Sequence, residues 1–273
     1  MPAVTVILSF YNKIDYLNLV LAGFGIQSFK DFEIIIADDG SEPQAVEQLE
    51  ELLKSYNLKI VHIWQEDKGF RKNRILNRAI ELAGAEYLLF VDADCIPHSK
   101  FVEEHYINCE SKTVLTGRRV NLSEKLTKQL TPELIGNYYL EKKQLKLLID
   151  GLFGKSNYVE KGIYFRNKFL RNLANNKKRG LLGSNFSIHK KDFLEINGFD
   201  ERYVAPSIGE DSDVQYRLEL SGVKVKSLNN IAVQYHLYHK LLPRPQKNLD
   251  LFERIKSEKK PFTPFGIIKQ TDK

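Results

Sequence analysis

The chain has 273 residues, of which 42% are hydrophobic and 28% are charged, and its formal net charge is +6. This length is enough for one large α/β domain or two small ones. Two cysteines, Cys95 and Cys109, are too few for a disulfide scaffold, so we expect a reducing compartment, the cytoplasm. The sequence lacks an apolar run long enough to span a membrane, and its opening residues predict a first strand, not a signal peptide.

The basic excess is concentrated in the middle of the chain. Residues 121–180 contain thirteen Lys or Arg and five Asp or Glu. Such an excess favours an anionic partner, although a solvated basic surface explains it as well. The sequence has no helix-turn-helix, zinc-finger or RNA-binding signature, so we do not expect nucleic acid as a partner. We expect peripheral contact with the inner face of a membrane or with a lipid-diphosphate acceptor.

The first hundred residues alternate between short apolar runs and helical patterns. Buried parallel strands are predicted at residues 4–9, 33–37, 58–64 and 87–91. Helices are predicted between them at residues 14–28, 43–56 and 72–83. This alternation predicts an α/β fold with a Rossmann-like, mostly parallel sheet flanked by helices. Because ligands bind at the carboxyl ends of such strands, the residues that follow each strand are the candidates for a site.

The pattern weakens between about residue 100 and residue 179. Residues 121–144 predict a polar helix, and residues 151–179 mix aromatic side chains with Lys and Arg, which fits either an acceptor platform or a partly buried amphipathic insertion. Further elements are predicted as a strand at 181–188, helices at 190–196 and 211–221, and an extended stretch at 223–235. Four prolines and several charges after Lys240 predict a peripheral tail.

Two acids follow the second predicted strand, in the run Asp38-Asp39-Gly40-Ser41. A carboxylate at this edge can accept a hydrogen bond from the imide N–H of uracil. The alternatives are a turn, a helix N-cap or a phosphoacceptor site. The loop that follows the first strand, Ser9 to Lys13, has no Gly-x-Gly-x-x-Gly, and the chain has no P-loop, which disfavours a dinucleotide cofactor and an ATPase.

Asp92-Ala93-Asp94 follows the fourth predicted strand directly. Two acids two positions apart share one face of a strand, and in the turn just past it they can converge on one cation. A divalent ion held there would bridge the phosphates of a nucleotide sugar and neutralise the departing diphosphate. The motif alone is common, and its position after a strand is what makes it a candidate metal site.

A third acidic group, Glu210-Asp211-Ser212-Asp213, lies at the start of a predicted helix. It fits a favourable acidic first turn of a helix. It equally fits a general base that takes the proton from an attacking hydroxyl.

Two imidazoles, His236 and His239, are three residues apart near the end of the ordered pattern. Such a pair on the surface usually has no function. Together with an Asp-x-Asp, however, it predicts a mixed carboxylate and imidazole site for manganese or a similar ion.

These four groups occur in this order in nucleotide-diphospho-sugar transferases of the GT-A fold. The opening residues 4–13, the run 27–33 and Asp38-Asp39-Gly40-Ser41 resemble glycosyltransferase family 2. The segment from Gly183-Ser184-Asn185 through Asn197-Gly198-Phe199-Asp200 to Asp213 is similar to the C-terminal half of β-1,4-galactosyltransferases and chondroitin-type polymerases. The resemblance covers roughly residues 3–100 and 180–240, and residues 101–179 depart from it.

The resemblance implies roles for individual residues. Donor and sugar binding is implied for Ser9, Tyr11, Asp39, Arg71, Arg74, Asp92, Gly183, Ser184 and Asn185, with Glu210 as an acceptor-binding acid. The metal ligands it implies are Asp94 and His239, with His236 at a position where the galactosyltransferases can use Met. The catalytic base it implies is Asp211.

The resemblance therefore predicts an inverting enzyme that uses Mn²⁺ or Mg²⁺. It would move Gal, GalNAc or GlcNAc from a UDP-sugar to a hydroxyl of a glycan or lipid-linked glycan, in bacterial polysaccharide biosynthesis. We expect one domain over residues 1–242, with a nucleotide-binding half (1–99), an acceptor-binding half (100–242), an insertion at about 121–180 and a tail (243–273). The alternatives are a sugar nucleotidylyltransferase, whose Gly-rich, Arg-containing loop is absent after the first strand, and a non-catalytic receiver-like or membrane-associated module.

Overall fold

The computed structural model of the protein describes residues 1–177, 179–206, 210–240 and 245–269. Strands and helices alternate through the first hundred residues, as the apolar runs predict. The strands are β1 (Val4–Phe10), β2 (Phe32–Asp38), β3 (Ile60–Trp64), β4 (Tyr87–Asp92) and β5 (Cys95–Pro97). The helices are α1 (Ile14–Gly25), α2 (Pro43–Leu53) and α3 (Lys72–Leu82).

The rest of the chain contains shorter elements. They are α4 (Phe101–Ile107), β6 (Thr113–Thr116), β7 (Arg118–Asn121), α5 (Glu124–Gln129), α6 (Pro132–Gly136), α7 (Tyr139–Lys142), α8 (Gln144–Phe153), a 3₁₀ helix (Val159–Gly162), α9 (Lys168–Ala174), β8 (Phe186–His189), α10 (Lys190–Glu195), α11 (Glu210–Leu220), β9 (Lys224–Ser227), β10 (Val233–His236) and α12 (Gln246–Glu258). Among the helices that the structure describes, none is both long and apolar enough to cross a membrane.

The strands form two sheets. The larger has seven strands in the order β3-β2-β1-β4-β8-β6-β9, and its first four strands are parallel. Strand β8 runs antiparallel to both β4 and β6. The smaller sheet has the order β5-β10-β7, with β10 antiparallel to β5 and parallel to β7. The mostly parallel sheet places the ends of β1, β2 and β4 at one edge, where ligands bind in such folds.

The two faces of the large sheet are covered by different apolar clusters. Along β1, Val6 and Leu8 join one cluster with Leu21 of α1, whereas Ile7 joins the other with Ile75 of α3. Successive side chains of a strand point to opposite faces, so this alternation buries β1 on both sides. The result is an α/β layer structure with the sheet in the middle.

Residues 121–144 do not form the single helix that their polar pattern predicts. The first helical stretch ends at Gln129, with Leu130 in an extended conformation. Thr131 caps the next helix, because its Oγ1 accepts a hydrogen bond from Leu134 N at 3.2 Å, with Pro132 at the first helical position. Tyr138 then takes a left-handed φ of 62°, which interrupts the backbone again. The predicted strand at 181–188 is also shorter, since only its last residues pair with the sheet as β8.

The C-terminal segment differs from the peripheral tail that its prolines predict. Pro245 is the N-cap of α12, and Leu251 and Ile255 of that helix are buried against Tyr203. Farther along, the Thr263 hydroxyl donates a hydrogen bond of 2.6 Å to Asp200 Oδ2. Pro245 therefore begins a packed helix, since proline suits the start of a helix, and Pro261 and Pro264 flank the docked Thr263. Pro243 lies outside the described residues.

Candidate active site

The ends of β1 and β4 bring a hydroxyl, a carboxylate and an amine together. Ser9 and Asp92 are register partners in the sheet, and Ser9 Oγ donates to Asp92 Oδ1 at 2.6 Å. Lys72, at the start of α3, donates to the same oxygen at 2.9 Å. Burial by itself would raise the pKa of Asp92, but the charge of Lys72 and the Ser9 hydrogen bond hold it below its ordinary value.

The predicted metal ligands Asp94, His236 and His239 meet in space. Asp94 lies in the turn between β4 and β5, and the antiparallel register of the small sheet sets His236 opposite Cys95. Asp94 Oδ2 lies 3.5 Å from His236 Nε2 and 3.3 Å from His239 Nε2. Leu237 N also donates to the carbonyl oxygen of Asp94 at 2.8 Å, which fixes the histidine segment on this turn.

This donor set fits a divalent cation. His239 Nδ1 lies 3.0 Å from the carbonyl oxygen of Lys240, so Nδ1 carries the hydrogen in the neutral ring and Nε2 carries the lone pair. The two histidine Nε2 atoms are 3.1 Å apart and both face a carboxylate oxygen. A bound cation would satisfy the lone pairs and the anionic oxygen together, as would a proton on the His236 ring. One carboxylate with two imidazoles is a set that manganese and similar ions accept.

The pKa values of Asp94 and His239 are shifted by their contact with each other. Burial alone would raise the pKa of Asp94, but hydrogen bonds from His236 and His239 hold it well below its ordinary value. The hydrogen bond to Asp94 raises the pKa of His239. Carboxylate and ring therefore stabilise each other's charged forms when a proton takes the place of a metal ion.

Cys95 and Arg119 also lie at this turn, and the sequence patterns did not single them out as site residues. Asp94, Cys95 and His236 are close enough for one ion. Burial, however, raises the pKa of the Cys95 thiol well above its ordinary value, and Sγ donates to Asp94 Oδ1 at 3.3 Å. His239 is therefore the better third donor. Arg119 donates to Ser184 Oγ at 3.0 Å and approaches Cys95 Sγ at 3.6 Å, which links Ser184 to the metal-ligand turn.

Asp211 lies in one cavity with the end of β4. Asp92, Lys72, Gly183 and Asp211 all line this cavity, which opens between β1 and α11. Gly183 N donates to Asp211 Oδ2 at 3.3 Å, and Ser212 N donates to Oδ1 at 2.8 Å. The carboxylate is thus held by backbone amides and faces the same space as the amine of Lys72.

Asp39 and Tyr11 lie at the ends of β2 and β1, beside that cavity. Asp39 accepts hydrogen bonds from Gln65 Nε2 at 2.6 Å and from Arg71 N at 2.9 Å. Burial is the main cause of a raised pKa at Asp39. Tyr11 is half-exposed and its hydroxyl donates to Asp67 Oδ2 at 3.2 Å. These groups line the edge where the sequence predicts a nucleoside.

Arg71, Arg74 and Asn185 were predicted to bind the donor or its sugar, and the structure places them in surroundings that the motifs did not predict. Arg71 contributes its backbone amide to Asp39, while its guanidinium donates to the carbonyl oxygen of Glu66. Arg74 is exposed on α3. Asn185 is fully buried.

The buried amide of Asn185 connects the two sheets. Its Nδ2 donates to the carbonyl oxygens of Ala232 and Arg118, at 3.0 and 3.2 Å. Its Oδ1 accepts from Gly117 N and lies 3.0 Å from His105 Nε2. Gly209, and the side chain of the predicted acceptor residue Glu210, lie outside the described residues.

Lys72 is the basic side chain that the sequence patterns missed. A signal was present, because Lys72 precedes Ile75 and Leu76 by three and four positions and therefore shares the buried face of α3. Arg74 is displaced from that face. Helical periodicity therefore places Lys72, and not Arg74, on the face of α3 that meets the sheet. The composition of this basic run alone does not distinguish the two residues.

The mostly parallel α/β sheet, with carboxylates at the ends of its strands, is a fold of the GT-A class. The model of "Glycosyl transferase family 2" matches residues 5–178, and the model described as "N-terminal domain of galactosyltransferase" matches residues 169–240. The chain belongs to glycosyl transferase family 2. The family and fold predicted from the sequence are confirmed.

Known proteins similar to the chain include polymerases and transferases. Chondroitin synthase of Escherichia coli is 26% identical over 249 residues, which cover 85% of this chain and 34% of that protein. The chain thus spans about a third of the length of this relative. TarS 1–349 of S. aureus, solved in complex with UDP-GlcNAc, matches 94% of this chain and 66% of its own, with a TM-score of 0.54 and 17% identity.

A second solved structure has the same fold. The mannosyltransferase PcManGT of Pyrobaculum calidifontis, in complex with GDP-Man and Mn²⁺, matches 94% of this chain and 70% of its own, with a TM-score of 0.56 and 13% identity.

Proposed function

We propose that the protein transfers a sugar from a UDP-sugar to an acceptor hydroxyl, in one displacement that inverts the anomeric carbon. The observation that carries the proposal is the meeting of Asp94 with His236 and His239, residues that are some 140 positions apart in the sequence. A second carboxylate, Asp211, shares a cavity with Asp92 close to that cluster. A cation site and a separate base are the two parts such a transfer needs.

The donor nucleotide would bind along the ends of β1 and β2. Ser9, Tyr11 and Asp39 would hold the uridine, and the solved complex of TarS with UDP-GlcNAc supports a UDP-sugar as donor. Lys72 and the backbone of Arg71 would approach the phosphates, since both lie between Asp39 and Asp92. The amine of Lys72 is a compact positive charge, which suits a phosphate oxygen.

Asp94, His239 and His236 would hold Mn²⁺ or Mg²⁺. Bound there, the ion would neutralise negative charge on the diphosphate leaving group. The chain's own contribution is to keep both Nε2 atoms aimed at one point. The hydrogen bond from His239 Nδ1 to the carbonyl of Lys240 fixes that ring, and Leu237 N anchors the segment to Asp94.

Asp211 would act as the general base. Its carboxylate removes the proton from the acceptor hydroxyl while the oxygen of that hydroxyl bonds to the anomeric carbon. The bond from that carbon to the diphosphate oxygen breaks at the same time, and its electron pair leaves with UDP. Amide hydrogen bonds from Gly183 and Ser212 orient the carboxylate for this role. General base catalysis of this kind contributes about 10²–10⁴-fold.

Gal, GalNAc or GlcNAc would be the transferred sugar. The UDP-GlcNAc complex of TarS supports GlcNAc, the match to the galactosyltransferase model supports Gal, and the similarity to chondroitin synthase supports a polysaccharide product. A hydroxyl of a glycan or lipid-linked glycan in a bacterial surface polysaccharide would be the acceptor. Ser184 and Gly183 are candidates for contact with the donor sugar, because Gly183 contacts Asp211 and Ser184 is tied to Arg119 beside the cation site.

A screen of UDP-sugars for metal-dependent hydrolysis tests the proposal, because slow donor hydrolysis needs no acceptor. We expect UDP release from one or two UDP-sugars with Mn²⁺ and none in excess EDTA. Thermal stabilisation by UDP with Mn²⁺, beyond that by Mn²⁺ alone, is the binding control. Pyrophosphate-dependent formation of a nucleoside triphosphate would instead identify a nucleotidylyltransferase. Absence of any UDP-sugar turnover and UDP binding would favour a non-catalytic module.

A further inference from the structure

Helix α8 presents a stripe of apolar side chains to solvent. Leu145, Ile149, Leu152 and Phe153 are 71%, 50%, 77% and 85% exposed. Their spacing of four, three and one residues places them on one face of the helix. Leu147 points the other way and is buried in the core. We call the four exposed residues the α8 stripe. A surface helix of a globular protein normally turns polar residues outward.

Within residues 139–155, the stretch that carries the α8 stripe, the exposed charged side chains are positive. Residues 139–155 contain two acids, Glu141 and Asp150. Glu141 accepts hydrogen bonds from the backbone and hydroxyl of Ser99, and Asp150 accepts from the buried hydroxyl of Ser156. The basic side chains of the same stretch are exposed: Lys142, Lys143, Lys146 and Lys155. Both negative groups are therefore turned toward the protein, whereas the ammonium groups remain on the surface.

The segment that carries the α8 stripe starts and ends beside the candidate active site. Arg118 of β7, which precedes it, donates to the carbonyl oxygen of Gly180 at 2.8 Å. Gly183, which follows it, contacts Asp211. A second helix of the segment repeats the pattern, since Phe169, Leu170 and Leu173 of α9 are all exposed.

We infer that the α8 stripe docks on an anionic lipid surface. Apolar side chains on one helix face insert at the boundary between headgroups and acyl chains, and flanking lysines are attracted to anionic headgroups. A second copy of the chain fits this surface less well, because pairing two α8 stripes would bring the exposed lysines of both copies together. The docking would hold the cavity of Asp211 near the membrane, where lipid-linked acceptors are found.

Sedimentation with vesicles tests the inference without any substrate. We expect the full chain to bind vesicles that contain phosphatidylglycerol, with affinity that falls as salt rises, and to bind pure phosphatidylcholine far more weakly. Changing the α8 stripe to glutamine (L145Q, I149Q, L152Q and F153Q) should weaken binding at least about tenfold. The midpoint of urea unfolding checks that this variant is folded.

A matched control changes four exposed apolar residues outside the segment, as L82Q, I107Q, L194Q and L220Q. These substitutions should leave vesicle binding within about twofold of the unmodified chain. Failure of the unmodified chain to bind anionic vesicles would overturn the inference, as would equal losses in both variants. Sedimentation velocity tests whether the α8 stripe instead mediates self-association. A dimer that only the stripe variant dissociates, without vesicle binding, would assign the surface to self-association and also overturn it.

Discussion

The end of β4 and the start of α11 each carry two aspartates separated by one residue, but the two regions use them differently. Asp92 and Asp94 follow a strand and a turn, and both carboxylates remain close enough to repel each other electrostatically. Asp211 and Asp213 lie on a helix, where positions two apart point in nearly opposite directions. Asp211 therefore lines the cavity, whereas Asp213 is fully buried and paired with Arg217.

This difference shows that the role of an Asp-x-Asp motif depends on whether it follows a strand or lies on a helix. After a strand, the two charges lie close together and are compensated by separate groups, Lys72 at Asp92 and, at Asp94, the histidines in protonated form or the metal ion that they would help to hold. On a helix, one acid can act on a ligand while the other holds the fold. Substitutions at each position should therefore separate effects on turnover, on stability and on donor binding.

The largest effect is expected for Asp211→Asn. Loss of the base should lower kcat by about 10²–10⁴-fold, because asparagine keeps the shape of the side chain but does not take up a proton. Binding of UDP with Mn²⁺, followed by thermal shift, should be unchanged. Activity close to that of the unmodified enzyme would show that Asp211 is not the base.

Asp213→Asn should act on stability. Arg217 is buried and donates to Asp213 Oδ2 through Nε at 2.9 Å and Nη2 at 2.6 Å. Removing the carboxylate leaves that guanidinium with the backbone oxygens of Ile196 and Gly198, so we expect the free energy of unfolding to fall by about 3–5 kcal/mol. Urea unfolding measures this. A variant as stable as the parent but catalytically dead would contradict the division of roles on α11.

His239→Ala should weaken the cation site. Loss of one imidazole should raise the Mn²⁺ concentration needed for UDP-dependent stabilisation at least about tenfold, the lower end of what loss of a supporting residue costs. His189→Ala is the matched control, because His189 pairs with Tyr87 at the opposite end of β4 from Asp92. Equal Mn²⁺ dependence in the two variants would remove His239 from the ligand set.

We expect a smaller effect for Lys72→Met, with Arg74→Met on the same helix as its matched control. Loss of the ammonium group beside Asp92 should raise KM for the UDP-sugar roughly tenfold, the value of one charge-assisted hydrogen bond. The exposed Arg74 should tolerate the change within about twofold. The reverse order of effects would restore the assignment that the sequence resemblance implies for Arg74.

The parallel half of the fold could be predicted because its signals are local. Each of its strands is an apolar run, and each connecting helix shows its period directly. The small sheet could not be predicted in this way. Its strands β5, β7 and β10 have three or four residues each, and their pairing depends on contacts between distant parts of the chain. Periodicity is too weak a signal over such short runs.

The residues of the candidate site also differ in whether local sequence signals predict them. Carboxylates at strand ends follow from the predicted sheet, which made Asp39, Asp92 and Asp94 accessible to sequence reasoning. No local pattern links His239 to Asp94, so their proximity was predicted from ligand chemistry and from the family resemblance. The contacts of Arg119 arise from β7, a strand that the sequence patterns did not predict.

The position of the buried Asn185 amide leaves no room for a side chain at Gly117. A methyl group at Gly117 would lie 2.4 Å from the carbonyl oxygen of Ala232 and 2.4 Å from Asn185 Oδ1, so an alanine there would force the backbone of Ala232 or the side chain of Asn185 to move. Strand β10 follows Ala232 and ends in His236. The pairing of β10 with β5 sets His236 beside Asp94. The positions of the histidines thus depend in part on Gly117, a residue that has no side chain.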